Sequence, residues 1–481
     1  MERLPLSRRQ FSRMAGLGAA AAALSNVMQA AAGTKRPNVL FIFTDDQRED
    51  TIAALGNPHI QTPNLDGLVR SGVRFRNAYC MGGFVGAVCL PARMMTLRGR
   101  SWFSVRNLPP DAPNFPKSMN EAGYLTYFMG KSGNTDKETQ KQFTYCNYVA
   151  PNDNEVRLSG RPDEYLADQA TSFLRKWKSD PSTSQGKPFF MYLAGASPHD
   201  PRVAPKEYLD RYDPNKIPVP PNFQPYHRFN NGELLIRDEQ LAPWPRTEAE
   251  IRRHLRDYYA VITYEDEQFG RIFRMLKEIG EYDNTIIIFS GDQGIAIGSH
   301  GLMGKQNLYE HSMGAPLIFS GPGIPQGKTL DAFCYHFDIY PTVCDLVGAD
   351  IPGSLEGKSL APLLRGQTSS VRDVVFLAYR DVQRAVRRGP WKLICYPEIN
   401  RTQLFNLDQD PYETRDLSGD PANSGRIREL MEAMRGQQKL YGDTAPLTSD
   451  NPKPGDVDLE FFKQLPASAA KDKVKGKRNK K

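Results

Sequence analysis

The chain of 481 residues is short of cysteine, of histidine and of long apolar runs. Its six cysteines, at 80, 89, 146, 334, 344 and 395, are too few and too scattered for a small disulfide-stapled fold, with Cys334 and Cys344 possible partners on proximity alone. No stretch offers the roughly 20 consecutive apolar residues of a bilayer span, so stable membrane insertion is not expected. There is no internal repeat, which excludes a repeat architecture. Net positive charge is missing from the body of the chain, although the formal total is +7. Arg3, Arg8, Arg9 and Arg13 against Glu2 place +3 in residues 1–32, and seven lysines and arginines against Asp472 place +6 in residues 471–481, leaving −2 for the rest. Such a body has no field to recruit nucleic acid.

What is present describes a globular chain with a large core: 40% hydrophobic residues, 24% charged, and a mean hydropathy of −0.54. The ends read differently. Ser7-Arg8-Arg9-Gln10-Phe11 is similar to a twin-arginine export motif, followed by a weakly apolar stretch from Met14 to Leu24 and the small-residue run Ala30-Ala31-Ala32. Residues 1–32 are therefore expected to be an export signal, and the protein bacterial and periplasmic or secreted. The tail 466–481 has no apolar periodicity and is expected to be disordered.

Between the ends, strands and helices alternate. Val39 to Phe43 and Thr285 to Phe289 are continuous apolar runs, the pattern of strands buried on both faces of a parallel sheet. Phe189 to Ala194 and Leu317 to Phe319 read as further central strands. Thr62-Pro63 supplies a helix start and Gly72 a stop, and Thr247 with Glu250 a capping box for a long helix closed by Gly280. Residues 33–365 are expected to form an α/β domain, a large mostly parallel sheet sandwiched by helices. From 366 to 465 the pattern shortens: runs at 374–379, 384–387, 391–396 and 404–407, with a helix over 426–438, predict a smaller α+β subdomain with an antiparallel sheet. The segment from Pro201 to Pro245 has nine prolines and little periodicity, which fits either one wall of a substrate cleft or a surface excursion with no ligand role.

The chemistry gathers at strand ends. Asp45-Asp46 follows the first strand and Asp292-Gln293 the strand at 285, where open α/β sheets build their sites. Adjacent carboxylates are costly unless a cation or protons neutralise them. Three carboxylates and an amide oxygen form a hard oxygen set suited to Ca²⁺, with Mg²⁺ second, and ill suited to zinc.

The segment Cys89-Leu90-Pro91-Ala92-Arg93, with Leu97 and Gly99, resembles the sulfatase signature C-x-P-S-R-x-x-x-L-T-G, with Ala92 for the usual serine and Arg98 for the usual threonine. Other blocks resemble the same family in its order: Thr44 to Gln47, Asn57 to Asp66, Gly130-Lys131, Pro198-His199-Asp200-Pro201, Gly291 to Gly294, Gly301 to Glu310, and in the C-terminal part Arg384 to Arg387, Trp391 to Leu393 and Leu404 to Pro411. The resemblance spans about residues 36–420 and identifies the chain as similar to the formylglycine-dependent sulfatases of the alkaline phosphatase superfamily.

That resemblance implies a sulfuric ester hydrolase whose Cys89 is oxidised to formylglycine by a modifying enzyme. It implies that the hydrated aldehyde attacks sulfur and expels an alcohol. Asp45, Asp46, Asp292 and Gln293, beside the residue derived from Cys89, would hold a divalent cation. Arg93, Lys131 and Lys305 would balance the anionic diol and sulfuryl oxygens, and His199 would protonate the leaving alkoxide. The substrate class implied is a sulfate ester, on a polysaccharide or glycan, with specificity carried by the 201–246 loop and the C-terminal sheet.

Two departures stand out. Gly133 replaces the histidine of the family's Gly-Lys-Trp-His, with Ser132 and Asn134 as nearby donors, and Gly314 stands where arginine is common. Two other readings share the motifs: a phosphoester or phosphonate monoester hydrolase, and a catalytically silent protein that binds sulfated glycans. A two-metal phosphatase would want more ligands than seven histidines readily provide.

Overall fold

The apolar runs at the start and middle of the chain become neighbouring strands at the centre of the larger of two sheets. The computed structural model describes residues 35–463, apart from 132, 134–135 and 150–157. The export-type N-terminus, the basic tail, Ser132 and Asn134 lie outside these residues. The large sheet comprises β1 (Asn38–Thr44), β2 (Gly72–Tyr79), β4 (Leu125–Lys131), β5 (Tyr145–Val149), β6 (Phe189–Ala194), β7 (Thr285–Gly291), β8 (Leu317–Ser320) and β9 (Lys328–Tyr335). The spatial order is β5-β4-β6-β1-β7-β8-β2-β9, and β8 alone runs against its neighbours.

β1, β6 and β7 are buried along their whole length. Strand alternation sorts their side chains into two cores. Val39, Phe41, Phe190, Tyr192 and Ile288 pack on one face with Phe115, Met119, Leu97 and Val343. Leu40, Ile42, Met191, Leu193 and Ile287 pack on the other with Leu65, Leu174, Phe269 and Ile272. The second core rests on the helices Pro63–Ser71, Pro162–Ser179 and Glu248–Glu278. Each such side chain contributes about 1.5–3 kcal/mol on burial, which makes this sheet a rigid platform.

Thr247 caps the long helix by accepting from the Glu250 amide at 3.2 Å. Thr62 does not cap in that way: its hydroxyl accepts from Ala53 N and donates to Asp66 Oδ1. Gly72 opens β2 rather than a loop. Strand β2 escapes the apolar pattern because Arg74 and Arg76 alternate within it, and β5 because it is an edge strand with polar positions.

The small sheet has the order β13-β12-β11-β10-β3, built from β3 (Gly82–Gly83), β10 (Val374–Tyr379), β11 (Gln383–Arg388), β12 (Trp391–Tyr396) and β13 (Arg401–Asn406). The last four form antiparallel ladders, and β3 runs parallel to β10 through Gly82 and Gly83. Any side chain at Gly82, whose φ is +109°, would strike the Ala378 carbonyl. The helix Ser424–Tyr441 lays Leu430 and Met434 on this sheet. All six cysteines are free, Cys334 and Cys344 included. Among the described residues no helix is long and apolar enough to cross a membrane.

Candidate active site

Register decides which side chains meet. Thr44 pairs with Gly291, so Asp45 and Asp292 leave their strands side by side. Asp46 N donates to Asp292 Oδ1 at 2.9 Å, and Asp292 N to the Thr44 carbonyl at 3.0 Å. One strand further on, Asp45 N donates to Ser197 O at 2.8 Å, which anchors the segment carrying His199 beyond the end of β6.

Cys89 is the first residue of the helix Cys89–Arg98, and Arg93 lies one turn later on the same face. The Cys89 thiol donates to Asp45 Oδ1 at 2.9 Å and lies 3.7 Å from Asp46 Oδ1; it accepts from Lys305 Nζ at 3.0 Å and from Gln293 Nε2 at 3.1 Å. Lys305 Nζ also donates to both oxygens of Asp46, at 2.6 and 2.8 Å. Lys131, the last residue of β4, reaches Asp45 Oδ2 at 2.9 Å. The close approach of β4 to β6 requires Gly130, since a side chain there would collide with the Ala194 backbone.

Arg93 is wholly buried and turned towards protein groups. Its guanidinium contacts Asp292 Oδ2 at 3.2 Å, Asp45 Oδ2 at 3.3 Å, and the carbonyls of Ala194 at 3.2 Å and Gly195 at 3.0 Å. His199 Nε2 lies 3.7 Å from Asp46 Oδ2, and Nδ1 lies 2.7 Å from the Asp200 carbonyl and 3.3 Å from its carboxylate. The structure thus brings Asp45, Asp46, Cys89, Arg93, Lys131, His199, Asp292, Gln293 and Lys305 into one centre.

The electrostatics show charge under tension. Burial alone would raise the Asp45 carboxyl, but Lys131 and Arg93 outweigh it and hold it well below the usual carboxylate range. Asp292 is pushed up to about 7 by burial and by the negative charges of Asp45 and Asp46, which Arg93 offsets only in part. Burial, then Asp292 and Asp45, push the Cys89 thiol well up. Burial and the charge of Lys305 lower His199, against the pull of Asp46. Gln293 Oε1 is buried without a hydrogen-bond partner. Three crowded carboxylates and an unpaired amide oxygen are the chemistry a hard dication satisfies, so these residues fit the cation expected from the sequence.

Sequence reasoning missed the residues behind His199. Asp200 is ion-paired with Arg237, which reaches from the proline-rich loop and also contacts Asp238 Oδ1 at 2.8 Å. Asp238 accepts from Gln306 Nε2 at 2.7 Å, next to Lys305. The loop is therefore a wall of the site, one of the two readings its composition allowed, but nothing in a single sequence singled out Arg237. Asp200 was visible only as a neighbour of His199. Of the two departures, Gly133 is exposed with open space around it, and Gly314 ends the turn Glu310–Met313 with its amide donating to the Glu310 carbonyl at 2.8 Å. Arg98 is held by Asp136 at 2.7 Å and the Ala112 carbonyl at 2.9 Å.

The family model described as Sulfatase matches residues 37–349, and that described as N-sulphoglucosamine sulphohydrolase, C-terminal, matches residues 298–440. An N-acetylglucosamine-6-O-sulfatase of Bacteroides thetaiotaomicron is 27% identical, with 86% of this chain and 88% of that protein covered. The fold is shared with a structure solved in complex with its substrate D-glucosamine-2-N,6-O-disulfate, at a TM-score of 0.72 and 24% identity over 86% of this chain and 99% of the other. It is also shared with a phosphonate monoester hydrolase of Agrobacterium radiobacter, at a TM-score of 0.69 and 21% identity over 84% and 96%. With the Sulfatase model covering well over half its length, the chain belongs to the sulfatase family of sulfuric ester hydrolases, within the alkaline phosphatase superfamily.

Proposed function

We propose that the protein hydrolyses sulfate esters of a carbohydrate, with Cys89 converted to formylglycine as the nucleophile. The observation that carries this reading is the convergence on one sulfur of Lys305 Nζ at 3.0 Å and Asp45 Oδ1 at 2.9 Å, inside a ring of three carboxylates. In the active protein the position of Sγ is taken by a hydroxyl of the aldehyde hydrate. Asp45, Asp46, Asp292 and Gln293 would hold Ca²⁺, or less favourably Mg²⁺, which when bound supplies positive charge to polarise a sulfuryl oxygen.

The side chains divide the remaining work. Lys305 and Lys131 face the centre with ammonium groups that stabilise charge on the hydrate and on the sulfuryl oxygens. Arg93, turned away from solvent, holds Asp45 and Asp292 in place. One hydroxyl of the hydrate, its proton lost to solvent and its negative charge held by Lys305, bonds to sulfur as the S–O bond to the alcohol breaks, and protonated His199 gives a proton to the leaving oxygen. The neutral imidazole then takes the proton of the second hydroxyl, whose oxygen forms the aldehyde as the C–O bond to sulfate breaks. Asp200, fixed by Arg237, orients the imidazole so that Nε2 faces the reacting atoms.

A glycan substrate is supported by the N-acetylglucosamine-6-O-sulfatase relative and by the disulfated glucosamine in the similar structure. The N-terminal Ser7-Arg8-Arg9-Gln10-Phe11 motif supports export to the periplasm or beyond in a bacterium. Peptide mass spectrometry across Cys89, on protein made with a formylglycine-generating enzyme, tests the nucleophile: an aldehyde is expected, and an intact thiol overturns it. Parallel turnover of an aryl sulfate and an aryl phosphonate tests the reaction. Sulfate is expected to be preferred, with a loss of at least about 10³-fold in Cys89→Ala; preference for the phosphonate would overturn the assignment.

A further inference from the structure

A second group of donors lies between the two sheets and has no part in the chemistry at Cys89. His300 comes from the loop after β7, His311 from the short turn Glu310–Met313, and Glu413 from the segment after β13. One ring nitrogen of each histidine and one oxygen of Glu413 lie within 4.8 Å of one another. His300 is 6% exposed, and its Nε2 has no hydrogen-bond partner. Neither ring nitrogen of His311 has one, and Glu413 Oε1 beside them is ion-paired with the Lys392 ammonium at 2.8 Å. Leaving a buried polar atom unpaired costs about 1–3 kcal/mol, so two such imidazoles converging beside a carboxylate call for a ligand.

The surroundings favour neutral imidazoles with free lone pairs. Burial lowers His300 to about 3 and His311 well below its ordinary range. His300 stacks on Tyr309 at 3.9 Å, and the Tyr412 backbone engages its ring, the arrangement that fixes the tautomer of a ligating histidine. The nearby cations are matched: Lys392 by Glu310 and Glu413, Arg387 by Glu310, and Arg48 by Asp50. A cavity of about 590 Å³ opens onto His311 and Glu413 and gives a route in from solvent.

We propose that His300, His311 and Glu413 bind one transition-metal dication of the Zn²⁺ type, separate from the hard cation at Cys89. Two imidazoles and a carboxylate select zinc-like ions over Ca²⁺, and three protein ligands leave a position open to the cavity. Bonds of about 2.0–2.1 Å in a tetrahedral site set donors about 3.4 Å apart, so the side chains close by up to about 1.4 Å on binding. The ion would clip the loop after β7 to the exit of β13, and so the large sheet to the small one.

The test uses the full chain saturated with Ca²⁺ and titrated with Zn²⁺ by calorimetry, with Co²⁺ as an absorbing probe. One equivalent is expected to bind, with a rise in Tm. Because Cys89, Asp45 and His199 also converge, Cys89→Ala separates the two sites, and binding is expected to survive in it. Affinity is expected to fall at least tenfold in His311→Asn and in His300→Phe, which keeps a ring against Tyr309. X-ray absorption of the wild-type Zn²⁺ complex is expected to show two imidazoles and no sulfur, a readout that stands even where a variant folds poorly. Absence of Zn²⁺ binding to the Ca²⁺-loaded protein, sulfur in the coordination sphere, or equal affinity in wild type and both histidine variants would overturn the proposal.

Discussion

Asp45, Asp46 and Asp292 face Arg93, Lys131 and Lys305, while Glu310 and Glu413 face Arg387 and Lys392. By formal count both buried clusters are neutral, three against three and two against two. They differ in what is left over. Each holds a carboxyl forced up to about 7, Asp292 in one and Glu413 in the other, but around Cys89 a thiol and an unpaired Gln293 oxygen stand among the charges. Around Glu310 the charges are tied into the small sheet, with Lys392 wholly buried and Arg387 bonded to the Tyr79 hydroxyl. Counting charges therefore does not tell the two clusters apart, whereas a nucleophile placed among them does.

The sharpest way to break this contrast is to remove one ammonium from each cluster. In Ca²⁺-saturated enzyme, Lys305→Met is expected to lower turnover of an aryl sulfate by about 10²–10³-fold. Lys392→Met is expected to leave turnover per folded molecule close to wild type and to cost about 3–5 kcal/mol of stability, since it strands two buried carboxylates. Kinetics with denaturant melts on both variants measure this, and a large kinetic defect with normal stability in Lys392→Met would abolish the distinction.

A smaller effect is expected at Asp200, which lies beside His199 and is ion-paired with Arg237. Asp200→Asn is expected to lower kcat about tenfold with KM nearly unchanged, because the imidazole keeps its contact with the backbone carbonyl at 200 but loses the negative charge 3.3 Å from Nδ1 that Arg237 holds in place. Burial alone would raise this carboxyl, and Arg237 with its hydrogen bonds holds it well below the usual range. With a depressed folded value, its stabilisation is present above the unfolded value near 3.9 and is lost as pH falls through the folded one. Asp200→Asn is accordingly expected to flatten the acid limb of Tm against pH.

The smallest effect is expected at Asp163, which accepts from Ser197 Oγ at 2.6 Å beneath the His199 segment. Burial raises its folded value to about 6, against the Ser197 hydrogen bond. Here the sign reverses: the contribution is present below about 3.9 and is lost as pH rises through about 6. Asp163→Asn is expected to gain about 1–2 kcal/mol relative to wild type at pH 8 and nothing at pH 4, read from melts at the two values.

Legibility in the sequence followed chemistry more closely than geometry. β1 and β7 announce themselves as apolar runs because both faces are buried, and Asp45 and Asp292 follow them directly. β3 is two glycines with no side chains to carry a pattern, yet it ties the segment leading to Cys89 to the small sheet. Motif matching recovered every residue now gathered around Cys89. It gave no hint that Arg93 is turned inward or that Arg237 arrives from a loop thirty-odd residues after His199, because such contacts depend on how strands register and where loops return.

Cys89 is 3% exposed, at the root of a helix and beneath two lysines. An enzyme that chemically alters this residue cannot close around it once the sheet has formed. On the proposed function, conversion would therefore be a race against folding, run while the chain is still open. Molecules that fold first would be left with a thiol, so the active fraction of a preparation would record the relative speed of two processes that end before the first substrate arrives.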